Sequence, residues 1–187
     1  DYTVFYALNE KGQNIAYKRF HKRSYPNQVS ELYAFLRTVK EKCTYIGTHI
    51  STLHDQTGIG EPINDMIVAT NDEGWEIEGI TWNNSNKESG VTDLILSLEE
   101  QALSLQPWHH LKFEMESFEV ETTSTGKFRY KGAEGLHDDT VMALVMANML
   151  FRSGRYASNT SVGLIDTINN IVKKIHFNGG ELSIDDI

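Results

Sequence analysis

Hydrophobic and polar positions along the chain predict an alternation of strands and helices. Two β-rich stretches flank the turn Asn9–Gly12, which predicts a β-hairpin. Strands are predicted at 2–8, 14–20, 44–54, 75–81 and 127–131, and helices at 26–39, 62–69, 89–105, 139–151 and 162–175. Residues 111–121 fit either a strand or a short helix. This order indicates an α/β fold with a mixed sheet.

Length and composition support one folded domain over residues 1–187. Hydrophobic residues make up 40% of the chain and charged residues 23%, which is enough for a real core. The net charge of −9 is unlike that of a stand-alone nucleic-acid binder, yet metal-binding carboxylates make phosphate-processing sites acidic. No phosphate loop of the GxxxxGK[ST] type is present, so this chain by itself is not expected to hydrolyse ATP.

A cluster of titratable residues precedes the most apolar predicted helix. In "GLHDDTVMAL", His137, Asp138 and Asp139 stand directly before the helix. One aspartate is enough to cap a helix N-terminus, and a second one adds repulsion that a divalent cation would remove. Helix capping remains the alternative, since paired aspartates also interact favourably with the helix dipole.

Asp55 follows a predicted strand and opens the glycine turn "DQTGIG". Open α/β sheets place ligands at the carboxyl ends of strands, and glycine lets the backbone approach an ion or a phosphate closely. Asp55 is therefore a candidate metal ligand, or alternatively a residue that caps its own turn. Glu114 in "KFEMESF" is a further candidate if that stretch is a strand. Converging carboxylates favour Mg²⁺ or Mn²⁺, and two such ions suit phosphodiester hydrolysis.

The order of these motifs resembles a known family. "DYTVFYALNEKG", "HDQTGIGEPI", "WNNSNKES", "FEMESF" and "GLHDDTVMALVMAN" occur as in the carboxy-terminal nuclease domain of the large terminase subunit of tailed phages and prophages. The resemblance extends from Asp1 to Asn148. The DxTGxG turn and the HDD motif are specific in combination, whereas either alone is weak.

The resemblance implies an RNase H-like fold, in which helices flank a central mixed sheet. It also implies a divalent-metal-dependent endonuclease that cuts concatemeric viral double-stranded DNA during genome packaging. Asp55 and Asp139 match metal ligands, Asp138 matches an assisting acid, and His137 matches the histidine beside them. Glu114 matches a glutamate of a later motif.

The same resemblance implies an additional strand. In the family, an acid on the first strand lies a few residues before the segment that matches "DYTVF", and Asp1 corresponds to a flanking aspartate rather than to that ligand. Unless Asp1 replaces it, one ligand and one central strand are expected to come from a longer parent protein. Weak or absent cleavage by this chain alone is therefore expected.

Several basic residues are candidates for DNA contact. Lys127, Arg129 and Lys131 would share one face of a hairpin, where they would contact the DNA backbone or else protect a sheet edge. Lys87 matches a family lysine that faces DNA.

The resemblance also implies partners and a location. The partners are an amino-terminal ATPase domain of the parent protein, the portal and the small terminase subunit, in the cytoplasm of a bacterial host and without a membrane. Two alternatives stay open, namely a related RNase H-like nuclease or resolvase, and an inactive domain that docks to DNA or to the portal.

Overall fold

A computed structural model describes residues 2–43, 49–58, 60–122 and 128–154. These residues form strands and helices in the alternating order that the sequence predicts. The strands are β1 (Tyr2–Leu8), β2 (Asn14–His21), β3 (Ser51–Asp55), β4 (Glu76–Ile80), β5 (Phe118–Thr122) and β6 (Phe128–Gly132). The helices are α1 (Tyr25–Lys42), α2 (Gly60–Thr70), α3 (Asn84–Glu99), α4 (His109–Glu116) and α5 (Asp139–Ser153).

The strands form three separate pairs. β1 and β2 are antiparallel, β3 and β4 are parallel, and β5 and β6 are antiparallel. Within the described ranges no strand links these pairs, so the single mixed central sheet stays a prediction. Residues of both β1 and β3 line one open groove.

The apolar core consists of three clusters of buried residues, the smallest of which joins Ala16 of β2 to Phe35 and Val39 of α1. The largest cluster is formed by α3, α4 and α5 together with the segment that follows α3, and it includes the fully buried Leu103, Leu144 and Val145. The second cluster joins α1 to α2. Helix α3 approaches α5 closely at Gly90, where a Cβ atom would lie 2.9 Å from a Val145 methyl carbon.

The turn between β1 and β2 is anchored to the largest core cluster. Gly12 has φ = 69°, a value that glycine adopts without strain. Its carbonyl accepts the Ser104 N–H at 2.8 Å, and the Ser104 carbonyl accepts the Asn14 N–H at 2.9 Å. These bonds fix the hairpin relative to the segment that follows α3.

Several boundaries differ from the sequence-based predictions, and α3 ends at Glu99 rather than at 105. Helix α3 begins at Asn84, earlier than predicted, because the Asn83 side chain accepts the N–H groups of Ser85 and Asn86 in a capping box. The ambiguous stretch 111–121 divides into the end of α4 and strand β5. The predicted helix at 162–175 and the first part of the predicted strand at 44–54 lie outside the described residues. No helix in the described ranges is long and apolar enough to span a membrane.

We expect Gly12→Ala to lower the free energy of unfolding by more than about 2 kcal/mol. The new Cβ would lie 2.1 Å from the Ala102 carbonyl oxygen, in addition to the strain of a positive φ. Gly135→Ala is the matched control, because Gly135 has φ = 77° with no atom within 4 Å of the new Cβ, and it should cost about 1 kcal/mol. Urea unfolding followed by tryptophan fluorescence measures both, and equal losses would contradict the docked turn.

Candidate functional site

The start of β1, the end of β3 and the start of α5 all line one groove, and contacts link them. Tyr2 of β1 bonds to Asp139, Lys87 of α3 contacts Asp138, and the turn after β3 bonds to Trp82 just before α3. Asp55, Asp138 and Asp139 all border this groove, together with Lys87. The structure thus brings together the three aspartates that the sequence singled out from two distant motifs. We call this group the acidic end of the groove.

Asp139 is held by the backbone of β1. Its Oδ2 atom accepts the Tyr2 N–H at 3.0 Å and lies 3.4 Å from His137 Nδ1. The His137 ring meets the Tyr2 ring edge-on at a centroid separation of 5.0 Å. These contacts fix the first residue of α5 relative to the first residues of β1 and leave the His137 ring partly exposed.

Asp138 occupies the N-cap position of α5 but does not cap the helix. Its side chain accepts no capping hydrogen bond, and its φ and ψ of −126° and 11° are not the extended values usual for an N-cap. Its Oδ2 atom lies 3.5 Å from Lys87 Nζ instead. The alternative that the paired aspartates cap α5 through Asp138 is therefore wrong.

Asp55 lies at the carboxyl end of β3, as predicted, and is exposed. Its Oδ1 atom accepts the Thr57 N–H at 2.8 Å, which closes a local turn. The Thr57 hydroxyl accepts the Trp82 N–H at 2.8 Å and so ties this turn to the segment before α3. Asp55 thus makes the turn-capping contact considered from the sequence, and it also lines the groove.

Glu114 is not placed as the sequence hypothesis required. It lies in helix α4 rather than in a strand, and its side chain is 2% exposed. Its Oε2 accepts the Thr140 N–H at 2.6 Å, and its Oε1 accepts the Thr140 hydroxyl at 3.0 Å and Arg19 Nη2 at 2.9 Å. The Glu114 carboxylate already accepts three hydrogen bonds, so it is not available as a ligand for an ion in the groove. Glu114 is therefore not one of the converging metal ligands.

This contact explains what caps α5. A carboxylate from another helix satisfies the N–H of the second helical residue, which otherwise has no partner at a helix N-terminus. Arg19 completes the network, because its guanidinium group lies 3.6 Å from the centre of the Tyr2 ring. Burial raises the pKa of the neighbouring Tyr17 phenol.

Sequence reasoning missed Arg19, Thr140 and Tyr2 as parts of this arrangement. No local signal marks them, because the contacts join residues that are far apart in the chain. Arg19 and Glu114 are separated by 95 positions, and Tyr2 and Asp139 by 137. Only the fold brings these side chains together.

The predicted basic surface is largely neutralised. Arg129 and Lys131 lie on strand β6, where they face Glu121 and Glu119 across the hairpin. Lys131 Nζ lies 2.7 Å from Glu121 Oε1. Lys87 is engaged by Asp138, and Lys127 and Asp1 lie outside the described residues.

The aspartates are chemically suited to bind a hard divalent cation, but they are not arranged as a complete metal site. Carboxylate oxygens are the ligands that Mg²⁺ and Mn²⁺ prefer. In the part of the chain that the structure describes, no three His, Cys, Asp or Glu side chains are close enough to hold one ion together. The acidic end therefore holds suitable donors that are not assembled into a complete metal site.

Comparison with solved structures decides the fold. The large terminase nuclease of thermophilic phage G20c superposes with a TM-score of 0.68 at 23% identity, over 80% of this chain and 75% of that one. This is the fold of a large terminase nuclease domain. The nuclease domain of the Thermus phage P74-26 large terminase also matches, with a TM-score of 0.59 at 18% identity, over 80% and 78% of the two chains.

The terminase nuclease of phage G20c has also been solved with bound magnesium, and that structure matches with a TM-score of 0.67 at 24% identity over 80% of this chain and 74% of that one. No protein-family model matches the chain, and no curated protein matches it. The likeness to terminase nucleases therefore rests on tertiary structure, and the predicted resemblance is confirmed at that level.

We expect Glu114→Gln to lower the free energy of unfolding by about 3 kcal/mol. Glutamine has one acceptor oxygen for three donors, and the charge of Arg19, which is 11% exposed, would lose its partner. Thermal and urea unfolding measure the change. Glu116→Gln is the matched control on the same helix, because Glu116 is exposed and 3.9 Å from Lys112, and it should cost less than about 0.5 kcal/mol. Equal effects of the two substitutions would contradict the capping role of Glu114.

Proposed function

We propose that this chain is the nuclease module of a phage DNA-packaging enzyme, which cleaves concatemeric viral double-stranded DNA in a divalent-metal-dependent reaction. One observation carries the proposal. Asp55, Asp138 and Asp139 come from distant segments and border one groove, in a fold shared with large terminase nucleases. Acids at strand and helix ends around a common cleft are the usual source of ligands in metal-dependent nucleases.

Asp55 and Asp139 are the residues that would hold the metal, with Asp138 assisting. A pair of Mg²⁺ or Mn²⁺ ions would supply an activated water and stabilise the leaving oxygen of the phosphodiester. Terminase nucleases of phage G20c have been solved with bound magnesium and with bound cobalt, which supports this choice of cofactor. Because donors of this kind bind hard cations, added metal is expected to displace the Lys87 ammonium from Asp138.

The remaining residues of the acidic end would position the reactants. Tyr2 holds Asp139 through its backbone N–H, and the partly exposed His137 ring is placed to orient a water or a phosphate oxygen. Released from Asp138, Lys87 would be available for a DNA phosphate. Arg129 and Lys131 are a weaker DNA-contact surface, because glutamates share their face of the hairpin.

We also propose that the domain has an RNase H-like architecture with a mixed central sheet. Its proposed partners are double-stranded DNA, an ATPase domain of the parent protein, the portal and the small terminase subunit. The proposed location is the host cytoplasm. A domain that only docks to DNA or to the portal is favoured by one observation, the lack of three assembled metal donors in the described ranges. The activity measurement below separates the two.

We expect metal-dependent nicking of supercoiled plasmid that is abolished by Asp139→Asn and by Asp55→Asn. The amide removes the negative charge that a cation requires while it keeps the side-chain shape, so the melting temperature should change little. The assay compares Mn²⁺, Mg²⁺ and EDTA, in this chain and in a version extended upstream by the parent sequence. Cleavage is expected to be weak in the first and clear in the second.

Asp65→Asn is the matched control, because Asp65 on α2 does not border the groove, and it should leave nicking unchanged. Cleavage retained by both Asp55→Asn and Asp139→Asn would refute the assigned residues. No cleavage by the extended protein in either metal would refute the nuclease proposal and favour the docking domain. A preference for branched DNA or an RNA–DNA hybrid would instead indicate the related RNase H-like activities.

A further inference from the structure

Strand β2 ends beside the acidic end of the groove. In the antiparallel pairing of β1 with β2, His21 is opposite Tyr2, and the Tyr2 N–H is the group that bonds to Asp139. The Tyr2 ring contacts two imidazoles, with centroid separations of 4.9 Å to His21 and 5.0 Å to His137. One aromatic ring therefore connects the last residue of β2 to the residues that precede and begin α5.

The Tyr2 ring is held in place by Arg19. The guanidinium carbon of Arg19 lies 3.6 Å from the centre of the ring, and Arg19 Nη2 lies 2.9 Å from Oε1 of the buried Glu114. A cation that stacks on a ring and is also paired with a buried carboxylate restricts the position of that ring. His21 is thus packed against a fixed side chain next to Asp139, and not against a mobile one.

The cations at the end of β2 differ in whether a carboxylate neutralises them. Lys18 and Arg23 both form ion pairs with Glu31. The side chains of His21 and Lys22 are exposed, and within the ranges that the structure describes neither makes a hydrogen bond or an ion pair. These two neighbouring side chains therefore have donors available for a ligand.

The electrostatic surroundings of His21 favour an anion. The pKa of its imidazole is lowered, first by desolvation and then by the positive charge of Lys22, with further contributions of the same sign from His137 and Arg19. The imidazole therefore lies among groups that disfavour another positive charge. A bound anion would reduce this repulsion and would accept an N–H bond from the neutral ring.

The backbone at Lys22 has an unusual conformation for a lysine. Its φ of 55° lies in the left-handed region, and the residue connects the end of β2 to the segment before α1. Glycine adopts this conformation without strain, whereas strained residues with side chains concentrate at binding and active sites. The turn alone would therefore favour glycine, and the ammonium group of Lys22 offers a reason for lysine.

We propose that Lys22 and His21 bind a phosphate of the DNA strand that occupies the acidic end, next to the phosphate that is cleaved. Lys22 contributes a positive charge, and His21 contributes one N–H donor. Both are positioning residues, because they are linked to Asp139 only through Tyr2. The inference rests on the proposed function, since that function supplies DNA as the ligand.

Binding of a short fluorescent DNA duplex to the full chain in EDTA tests the proposal without catalysis. Lys22→Asn removes the charge, and asparagine tolerates a positive φ, so the melting temperature should not fall. We expect about fivefold weaker binding and a slope of log K against log salt that is smaller by roughly 0.9, the value for one phosphate contact. Lys11→Asn is the matched control, because Lys11 is an exposed lysine in the turn at the other end of the same hairpin, and it should change neither quantity.

A second variant tests the imidazole. His21→Phe keeps a ring against Tyr2 and removes the N–H donor. At about pH 8, where the imidazole is neutral, this variant should weaken duplex binding by roughly threefold and leave the salt slope unchanged. In the version extended upstream, Lys22→Asn should raise KM for plasmid nicking and change kcat little, as expected for a residue that positions DNA.

Three results would overturn the phosphate site. They are no duplex binding by the unchanged chain, an unaltered affinity and salt slope in Lys22→Asn, and equal losses in Lys22→Asn and Lys11→Asn. Duplex binding with the reduced slope in Lys22→Asn, but without nicking by any version of the protein, would support the phosphate site and refute the proposed nuclease activity. The two proposals can therefore fail separately.

Discussion

The carboxylate of Glu114 is the interaction on which the arrangement of the acidic end depends. It is buried behind α5, caps the first turn of that helix through Thr140 and neutralises Arg19 of β2. Arg19 in turn lies over Tyr2, whose N–H is bonded to Asp139. One buried charge with three donors thus links α4, β2, β1 and α5. A buried carboxylate is tolerated only when its hydrogen bonds are satisfied, so this geometry is strongly restricted.

This capping arrangement has a consequence for the paired aspartates. Because Glu114 satisfies a backbone N–H of α5 from outside, Asp138 makes no capping bond and is oriented towards Lys87 instead. Two adjacent carboxylates at a helix N-terminus repel each other, and here Lys87 and His137 offset that repulsion. In the free protein the Lys87 ammonium group balances the charge of Asp138. A bound cation could balance the same charge instead.

The fold resembles that of terminase nucleases although the strands form three separate pairs. Residues of α1 and α5 line the groove, and the positions of the strands are set by contacts of β1 with both helices and of β3 with α5. The similarity to terminase nucleases over 80% of the chain reflects these retained elements. The single mixed sheet that the resemblance implies stays a prediction, as does the RNase H-like assignment.

The sequence by itself determined the order of elements, the β1–β2 hairpin, and the positions of Asp55, Asp138 and Asp139 at element ends, since periodicity and turn residues are local signals. Only the tertiary structure decided that Glu114 is a buried helix cap and that glutamates oppose Arg129 and Lys131 across a hairpin. Both depend on which residues meet across the fold. Packing and burial determine which distant segments come into contact. Such contacts have no fixed spacing along the chain, so the sequence alone does not predict them.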